Sequence, residues 1–148
     1  MRHAMPSLTV ICLLAAFAVP AAQAQANVNA EICAAPDNSA VSPEQRVAAC
    51  TAVIEISKDA PKELVAALVS RGATYWYMNK TPLAFADLDR AIALDPKNAR
   101  AFRERANCYR TTGRLDRALA DANESIRLDA SDAEAFDNRG NIFNNNGQ

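Results

Sequence analysis

Few residue types in this sequence could support acid–base or metal chemistry. The one histidine, His3, lies beside the N-terminus, although histidine is the commonest general base and metal ligand in proteins. The carboxylates recur at spacings typical of a solvent-exposed helix surface, where they cap helices or pair with neighbouring side chains. The sequence contains no glycine-rich phosphate loop, metal-ligand cluster or Ser–His–Asp set. These observations predict a protein that is not an enzyme and that needs no cofactor or metal.

The cysteines offer a different chemistry, because thiols in an oxidising compartment form disulfides. Cys33 and Cys50 lie 17 positions apart, and the chain-entropy model gives a bridge closing such a loop about 3 kcal/mol. We predict a disulfide between Cys33 and Cys50, since two unpaired thiols are the less favourable alternative in that compartment. Cys108 lies among apolar helix residues, and we predict that it is a buried small apolar side chain rather than a reactive thiol.

The first residues have the composition of a secretory signal peptide. The charged start Arg2-His3 is followed by the apolar run 8–19 and then by small residues at Ala22 and Ala24. Charged, apolar and small-x-small regions in this order are typical of secretory signals. The apolar run is too short to span a bilayer comfortably, so an uncleaved membrane anchor is the weaker alternative. The sequence therefore predicts that the protein is exported.

We predict that residues 1–24 are removed by cleavage after Ala24, with Ala26 as the second choice. Cleavage removes His3 and Cys12 from the mature chain. The expected location is the bacterial periplasm or the secreted fraction, without stable membrane insertion. With 148 residues and a formal net charge of −1, the chain is long enough for one small domain and has no electrostatic basis for binding nucleic acid.

Internal similarity at a fixed period organises the rest of the chain. Residues of similar kind recur every 34 positions: Leu68, Phe102 and Phe136; Gly72, Ala106 and Gly140; Tyr75, Tyr109 and Phe143. The segment 92–95 recurs in the same way at 126–129. A fixed period of this length indicates stacked helical hairpins, which bury a continuous core between neighbours.

Capping residues and helix breakers set the expected boundaries. Segment 25–41 lacks helical periodicity and is predicted to be an N-terminal arm. Ser42 can cap a helix with Pro43 in its first turn and Gln45 completing a capping box, so a capping helix is predicted within 42–60.

The repeats are predicted over 61–148. They comprise full units at 65–98 and 99–132 and a partial unit at 133–148. Thr81 is expected to cap the second helix of the first unit, and Gly72 is expected to allow close approach of that helix.

The spacing, the small residues at the shared position and the closing sequence Leu94-Asp95-Pro96 resemble the tetratricopeptide repeat (TPR) family over about 61–147. The signal peptide, Cys33 and the Ala49-Cys50-Thr51 segment further resemble small exported bacterial TPR-containing proteins. The resemblance implies an all-α fold: a right-handed solenoid of TPR helical hairpins with an N-terminal capping helix, two full repeats and one further helix. Ala122 and Ala130 depart from the family pattern, which has a large residue and a proline at these positions.

In the TPR family the first helices of the repeats line a concave groove that commonly holds a peptide. The resemblance implies these groove residues: Trp76, Tyr77, Arg100, Arg103, Asn107, Arg110, Asn138 and Asn141. Trp76 and Tyr77 are typical of binding hot spots, and the arginines could pair with a partner's carboxylate. Two alternatives stay open, namely that Trp76 packs on the capping helix and that Arg103 pairs with Glu104 or with a carboxylate of the next helix.

The predicted function is a protein- or peptide-binding adaptor or scaffold that acts through this groove. One alternative is the N-terminal interaction region of a longer enzyme truncated at residue 148. Another is a self-assembling scaffold, which would make the protein a homo-oligomer. Asn146-Gly147 occupies the turn position that Gly113 holds one repeat earlier, and favours a fragment of a longer array over a terminal cap. Val69 and Ala73 replace the lysine and asparagine of the chaperone-binding subclass, so a receptor of that type is not expected.

Overall fold

The computed structural model describes residues 20–36 and 39–145, without the side chain of Asn145. Most of the predicted signal peptide, residues 1–19, lies outside the described residues. Within the described ranges the chain forms seven α-helices and no strand, which confirms the all-α prediction. The helices are α1 (Ala21–Ala34), α2 (Pro43–Ile56), α3 (Pro61–Tyr77), α4 (Thr81–Leu94), α5 (Ala99–Thr111), α6 (Leu115–Leu128) and α7 (Ala133–Asn145).

Helix α1 is a departure from the arm predicted over 25–41, because the chain is helical there as far as Ala34. The helix consists largely of alanine, glutamine and asparagine, and Cys33 is its one buried residue. It therefore has no apolar stripe from which periodicity could predict it. It packs on α2 and α3, and the sulfur atoms of Cys33 and Cys50 lie at disulfide distance, 2.09 Å apart. Tertiary packing thus holds a segment of weak intrinsic pattern as a helix.

Helix α2 begins as its sequence predicts. The Ser42 side chain accepts a hydrogen bond from the Gln45 backbone N–H at 3.2 Å. The Gln45 side chain accepts one from the Ser42 backbone N–H at 2.9 Å. This reciprocal capping box satisfies donors that the first turn would otherwise leave unpaired. With α1 in front of it, α2 is the second helix of a hairpin and no longer a lone cap.

The hairpin of α3 and α4 depends on the absence of a side chain at Gly72. A Cβ atom at this position would lie 2.8 Å from Cγ of Leu88, closer than real Cβ contacts. The predicted close approach of the two helices is therefore present. One detail differs from the sequence prediction: Lys80 rather than Thr81 is the N-cap residue. At the other end of α4, Leu94 is 47% exposed. Leu94 lies beside the first turns of α3 at the edge of the hairpin, where the helices no longer cover it.

In the hairpin of α5 and α6, different residues make the close contact between the two helices. Ala106, Ala118 and Ala122 are buried together with Ile142 of α7. Ala106 stands where α3 has Gly72, and Ala122 stands where α4 has Leu88. The larger residue on α5 is thus matched by a smaller one on α6. The departure of Ala122 from the family pattern is compensated within the same hairpin.

Repeated arginine–aspartate pairs join the helices along one side of the stack. Arg71 donates to both carboxylate oxygens of Asp87, at 2.7 and 2.8 Å. Arg105, at the same position of the next repeat, does the same to Asp121 at 2.7 and 2.9 Å. Arg105 also donates to Asp89 of the preceding hairpin at 2.8 Å. Hydrogen bonding to Asp87 raises the pKa of Arg71, and hydrogen bonding to Asp121 raises the pKa of Arg105. Planar two-bond pairs of this kind fix the relative orientation of the two helices.

Candidate functional site

A cavity of about 320 Å³ lies between the N-terminal segment and the first helices of the two central hairpins. We name it the aromatic cavity because Trp76 and Tyr77 form part of its wall. Its lining residues are Ser39, Val41, Pro43, Arg46, Ala73, Thr74, Trp76, Tyr77 and Glu104. The volume is at the lower end of the range that small-molecule and side-chain pockets occupy.

The last turns of α3 place two aromatic side chains in the wall of the aromatic cavity. Tyr77 is 73% exposed, so most of this large flat side chain faces solvent. Trp76 is half-buried and packs against the core of the first two hairpins. Trp76 also lines the aromatic cavity, so packing against the core does not remove it from this surface.

The opposite wall comes from the segment before α2 and from the first turn of that helix. Arg46 is buried, and one of its terminal nitrogens donates to the Pro36 carbonyl at 2.8 Å and to the Ser39 hydroxyl at 3.3 Å. These bonds attach the connection between α1 and α2 to the stack and hold Val41 and Pro43 at the cavity. Sequence reasoning missed this wall because its residues lie outside the repeated pattern. The capping box at Ser42 was the one signal that placed the start of α2 here.

Glu104 of α5 completes the lining and is buried in spite of its charge. It forms ion pairs with Arg103 at 3.0 Å and with Arg100 at 3.7 Å. Buried carboxylates of this kind are normally paired, because an isolated charge is costly to remove from water. Glu104 therefore contributes a neutralised polar wall rather than an open negative charge.

Arg103 pairs with carboxylates of its own chain, which is the alternative to a groove role that the sequence left open for it. Besides Glu104, it pairs with Asp132 at 2.8 Å and with Glu134 at 2.6 Å. Burial lowers the pKa of its guanidinium, but the charge and hydrogen bond of Glu104 and the two further carboxylates raise the pKa above its usual value. Its charge is already matched by three carboxylates. A partner's carboxylate would have to displace one of them.

The remaining predicted groove residues do not line the aromatic cavity. Asn138 is buried, and its amide donates to the Arg103 carbonyl at 3.1 Å, which ties α7 to α5. Arg100 is exposed beside Glu104, Asn107 and Arg110 are half-buried, and Asn141 is exposed. Of the eight residues predicted for the groove, Trp76 and Tyr77 are the two that meet at the aromatic cavity.

The described residues give little support to chemistry of other kinds. Among them, no group of three or more histidine, cysteine, aspartate or glutamate side chains could hold a metal ion. Burial raises the pKa of the Cys108 thiol to about 12, so it stays protonated at neutral pH. In the same part of the chain, none of the helices has the length and apolar character needed to cross a membrane.

Comparison with known proteins identifies the repeat. Residues 70–133 match the sequence model of the tetratricopeptide repeat. No curated protein sequence matches the chain. The solved NMR structure of the first TPR domain of human RPAP3 has a similar fold, with a TM-score of 0.70 at 18% identity, and the match covers 83% of this chain and 93% of that domain. The chain therefore carries tetratricopeptide repeats over residues 70–133 and has the stacked-hairpin fold of a TPR domain.

Proposed function

We propose that this protein is an adaptor or scaffold that binds a peptide segment of another protein, with the aromatic cavity as its anchor site. The observation that carries the proposal is the position of Trp76 and Tyr77 in the wall of a preformed cavity of about 320 Å³. Tryptophan and tyrosine are enriched among residues that dominate binding energy, because they offer a large rigid contact area and a polar group.

The charges around the aromatic cavity favour an uncharged anchor on the peptide. Glu104 is neutralised by Arg100 and Arg103, and Arg46 is held by the Pro36 carbonyl and the Ser39 hydroxyl. A charged ligand side chain would lose its hydration without gaining an equivalent partner. A large apolar or aromatic side chain would instead be covered by the two aromatic rings, Val41 and Pro43. We therefore infer a peptide with such a side chain as the ligand class.

A peptide-display selection on the purified protein tests this proposal. Binding at the cavity can be followed by tryptophan fluorescence, because Trp76 is the single tryptophan of the chain. Selected peptides should carry a shared large apolar residue and should shift the fluorescence of Trp76. Tyr77→Ala should weaken their binding about 10-fold, which corresponds to about 1.4 kcal/mol. Leu83→Ala is the matched control, since Leu83 is also a large exposed side chain but lies on α4 outside the cavity. Peptides that bind equally well to the Tyr77→Ala protein would show that the anchor site is elsewhere.

We further propose that the protein is exported and acts in the bacterial periplasm or outside the cell. The charged, apolar and small-residue regions at the start of the sequence support this, as does the Cys33–Cys50 pair, since disulfides persist in oxidising compartments. The intact mass of the protein recovered from the periplasmic fraction tests both points. Loss of residues 1–24 and a gain of about 2 Da on reduction are expected, because reducing one disulfide adds two hydrogens. An unprocessed chain in the cytoplasm would contradict the proposal.

A further inference from the structure

Glu104 brings one unused hydrogen-bond acceptor to the aromatic cavity. Its Oε1 atom accepts a hydrogen bond from Nη2 of Arg103 at 3.0 Å and lies 3.7 Å from Nε of Arg100. No hydrogen bond within the described part of the chain reaches the other carboxylate oxygen, Oε2. The two arginines thus balance the charge of Glu104, while the lone pairs of Oε2 stay available to a ligand.

Burial makes this acceptor important once the cavity is filled. Glu104 is 8% exposed and lines the cavity. A side chain that enters the cavity displaces the water in front of the carboxylate, and a ligand without a donor gives Oε2 nothing in return. A buried acceptor that loses its partner costs the full free energy of removing it from water. The cavity therefore favours a ligand that carries a donor to Glu104.

The other walls indicate what body this donor is attached to. Trp76 and Tyr77 form one wall of the cavity, and Val41 and Pro43 form part of the opposite one. These flat or apolar surfaces match an aromatic ring, and the cavity volume of about 320 Å³ has room for one. Tyrosine and tryptophan combine an aromatic body with a single donor, the phenol O–H or the indole N–H.

A cationic donor fits this position less well than a neutral one. Lysine and arginine side chains also donate hydrogen bonds, but the negative charge of Glu104 is already shared by Arg100 and Arg103. An ammonium or guanidinium group would lose its hydration in the cavity and gain little attraction from a carboxylate that is already paired. A neutral donor has a much smaller hydration to lose, and it needs only the lone pair of Oε2.

We propose that Oε2 of Glu104 determines the specificity of the aromatic cavity by accepting a hydrogen bond from a tyrosine or tryptophan side chain of the bound peptide. The inference rests on the proposed function and narrows its ligand class from large apolar side chains to aromatic side chains with one donor. Phenylalanine, leucine and methionine fill the same space but leave Oε2 unpaired. Sites that hydrogen-bond their ligand reject analogues without the donor more strongly than apolar pockets reject a change in size.

The test uses four neutral tripeptides, acetylated and amidated Gly-X-Gly, in which X is tyrosine, phenylalanine, tryptophan or benzothienylalanine. Phenylalanine has the shape of tyrosine without its hydroxyl group, and benzothienylalanine has the shape of tryptophan with sulfur in place of the indole N–H. Binding to the isotope-labelled protein is followed by the NMR signal of the indole N–H of Trp76, the single tryptophan of the chain. We expect the donor-bearing peptide of each pair to bind about 10-fold more tightly than its analogue.

A substitution at Glu104 assigns the acceptor. Glu104→Gln keeps one oxygen for Arg103 and places an amide donor where Oε2 was, so it should remove the preference within each pair of tripeptides. Glu63→Gln is the matched control, because it removes an exposed carboxylate of α3 that does not line the cavity. It should leave the preference unchanged. Urea unfolding shows whether the Glu104→Gln protein is folded, and the tripeptide pairs on the unaltered protein decide the donor preference in either case.

Three results would count against the proposal, and they differ in what they overturn. Equal affinities within each pair, with the Trp76 signal still shifting, would overturn the hydrogen bond and leave the cavity as the anchor site. A preference that a folded Glu104→Gln protein retains would assign the acceptor to another residue. An unchanged Trp76 signal with all four tripeptides would overturn both this inference and the proposed anchor site.

Discussion

The first central hairpin and the last helix carry the same pattern in different surroundings. Leu68, Gly72 and Tyr75 on α3 match Phe136, Gly140 and Phe143 on α7, two repeats later. On α3 the leucine is fully buried, and a Cβ at the glycine would collide with Leu88. On α7 the phenylalanine is 42% exposed, and the glycine has open space around it.

Burial in this fold therefore depends on the neighbouring helices and not on the helix itself. Each hairpin covers the face of its own first helix and rests on the hairpin before it, as contacts in a repeat array extend only to adjacent units. Equivalent substitutions in the two places should therefore have very different effects on stability. Three matched pairs of variants test this comparison, and urea unfolding at constant pH measures each of them.

The largest difference is expected between Leu68→Ala and Phe136→Ala. Leu68 is fully buried in the central core, and truncation of such a leucine typically costs about 3 kcal/mol through lost transfer energy and the cavity that remains. Phe136→Ala should cost less than about 1 kcal/mol, because much of the ring already contacts water. Equal losses from both variants would show that the face of α7 is covered in solution.

The next difference is expected between Arg105→Met and Arg139→Met. Methionine keeps much of the side-chain volume in both variants. Loss of Arg105 leaves the buried carboxylate of Asp121 without its two-bond partner, which should cost about 2 kcal/mol, because an unpaired buried charge is destabilising and solvent screens only part of it. Arg139→Met removes one long bond to Asn123 and should change the unfolding free energy by less than about 0.5 kcal/mol.

The smallest individual effects, of opposite sign, are expected from Gly72→Ala and Gly140→Ala. At Gly72 the new methyl group would overlap Leu88, and overpacking should destabilise the protein by about 1 kcal/mol net of the better helix propensity. At Gly140 the methyl group meets no neighbour, so the propensity gain of alanine should stabilise the protein by up to about 1 kcal/mol. Stabilisation by both variants would mean that α3 and α4 lie further apart than described.

The repeat hairpins could be predicted from the sequence, whereas the first helix could not. The small residues Gly72, Ala106 and Gly140, each 34 positions apart, predicted the period of the stack. The capping box at Ser42 predicted the start of α2. Helix α1 could not be predicted because its alanine- and asparagine-rich sequence has no apolar face. It is attached to the stack by packing and by the pairing of Cys33 with Cys50.

The candidate site was predicted in part. The family resemblance pointed to Trp76 and Tyr77, which do line the aromatic cavity. It also pointed to Arg103 and Asn138, which make contacts within the chain. The Asn138 amide donates to the Arg103 carbonyl and so joins α7 to α5, and the Arg103 side chain pairs with nearby carboxylates. One sequence cannot separate these roles, since an arginine on a helix surface has the same pattern whether it meets a partner or a neighbouring helix.

The period, the helical type of the repeats and the residues that can pack closely follow from the sequence, because they depend on spacing along one helix and on residue size. Which faces are covered, which arginines are paired and where the chain segment before α2 meets α3 to form a cavity are known only from the folded chain. These properties depend on distances between residues far apart in the chain, as between Arg71 and Asp87 or Ser39 and Trp76. Gly72 and Gly140 are the same residue type at the same position of the repeat, and the presence of α4 makes an added methyl group unfavourable at Gly72, whereas Gly140 has room for it.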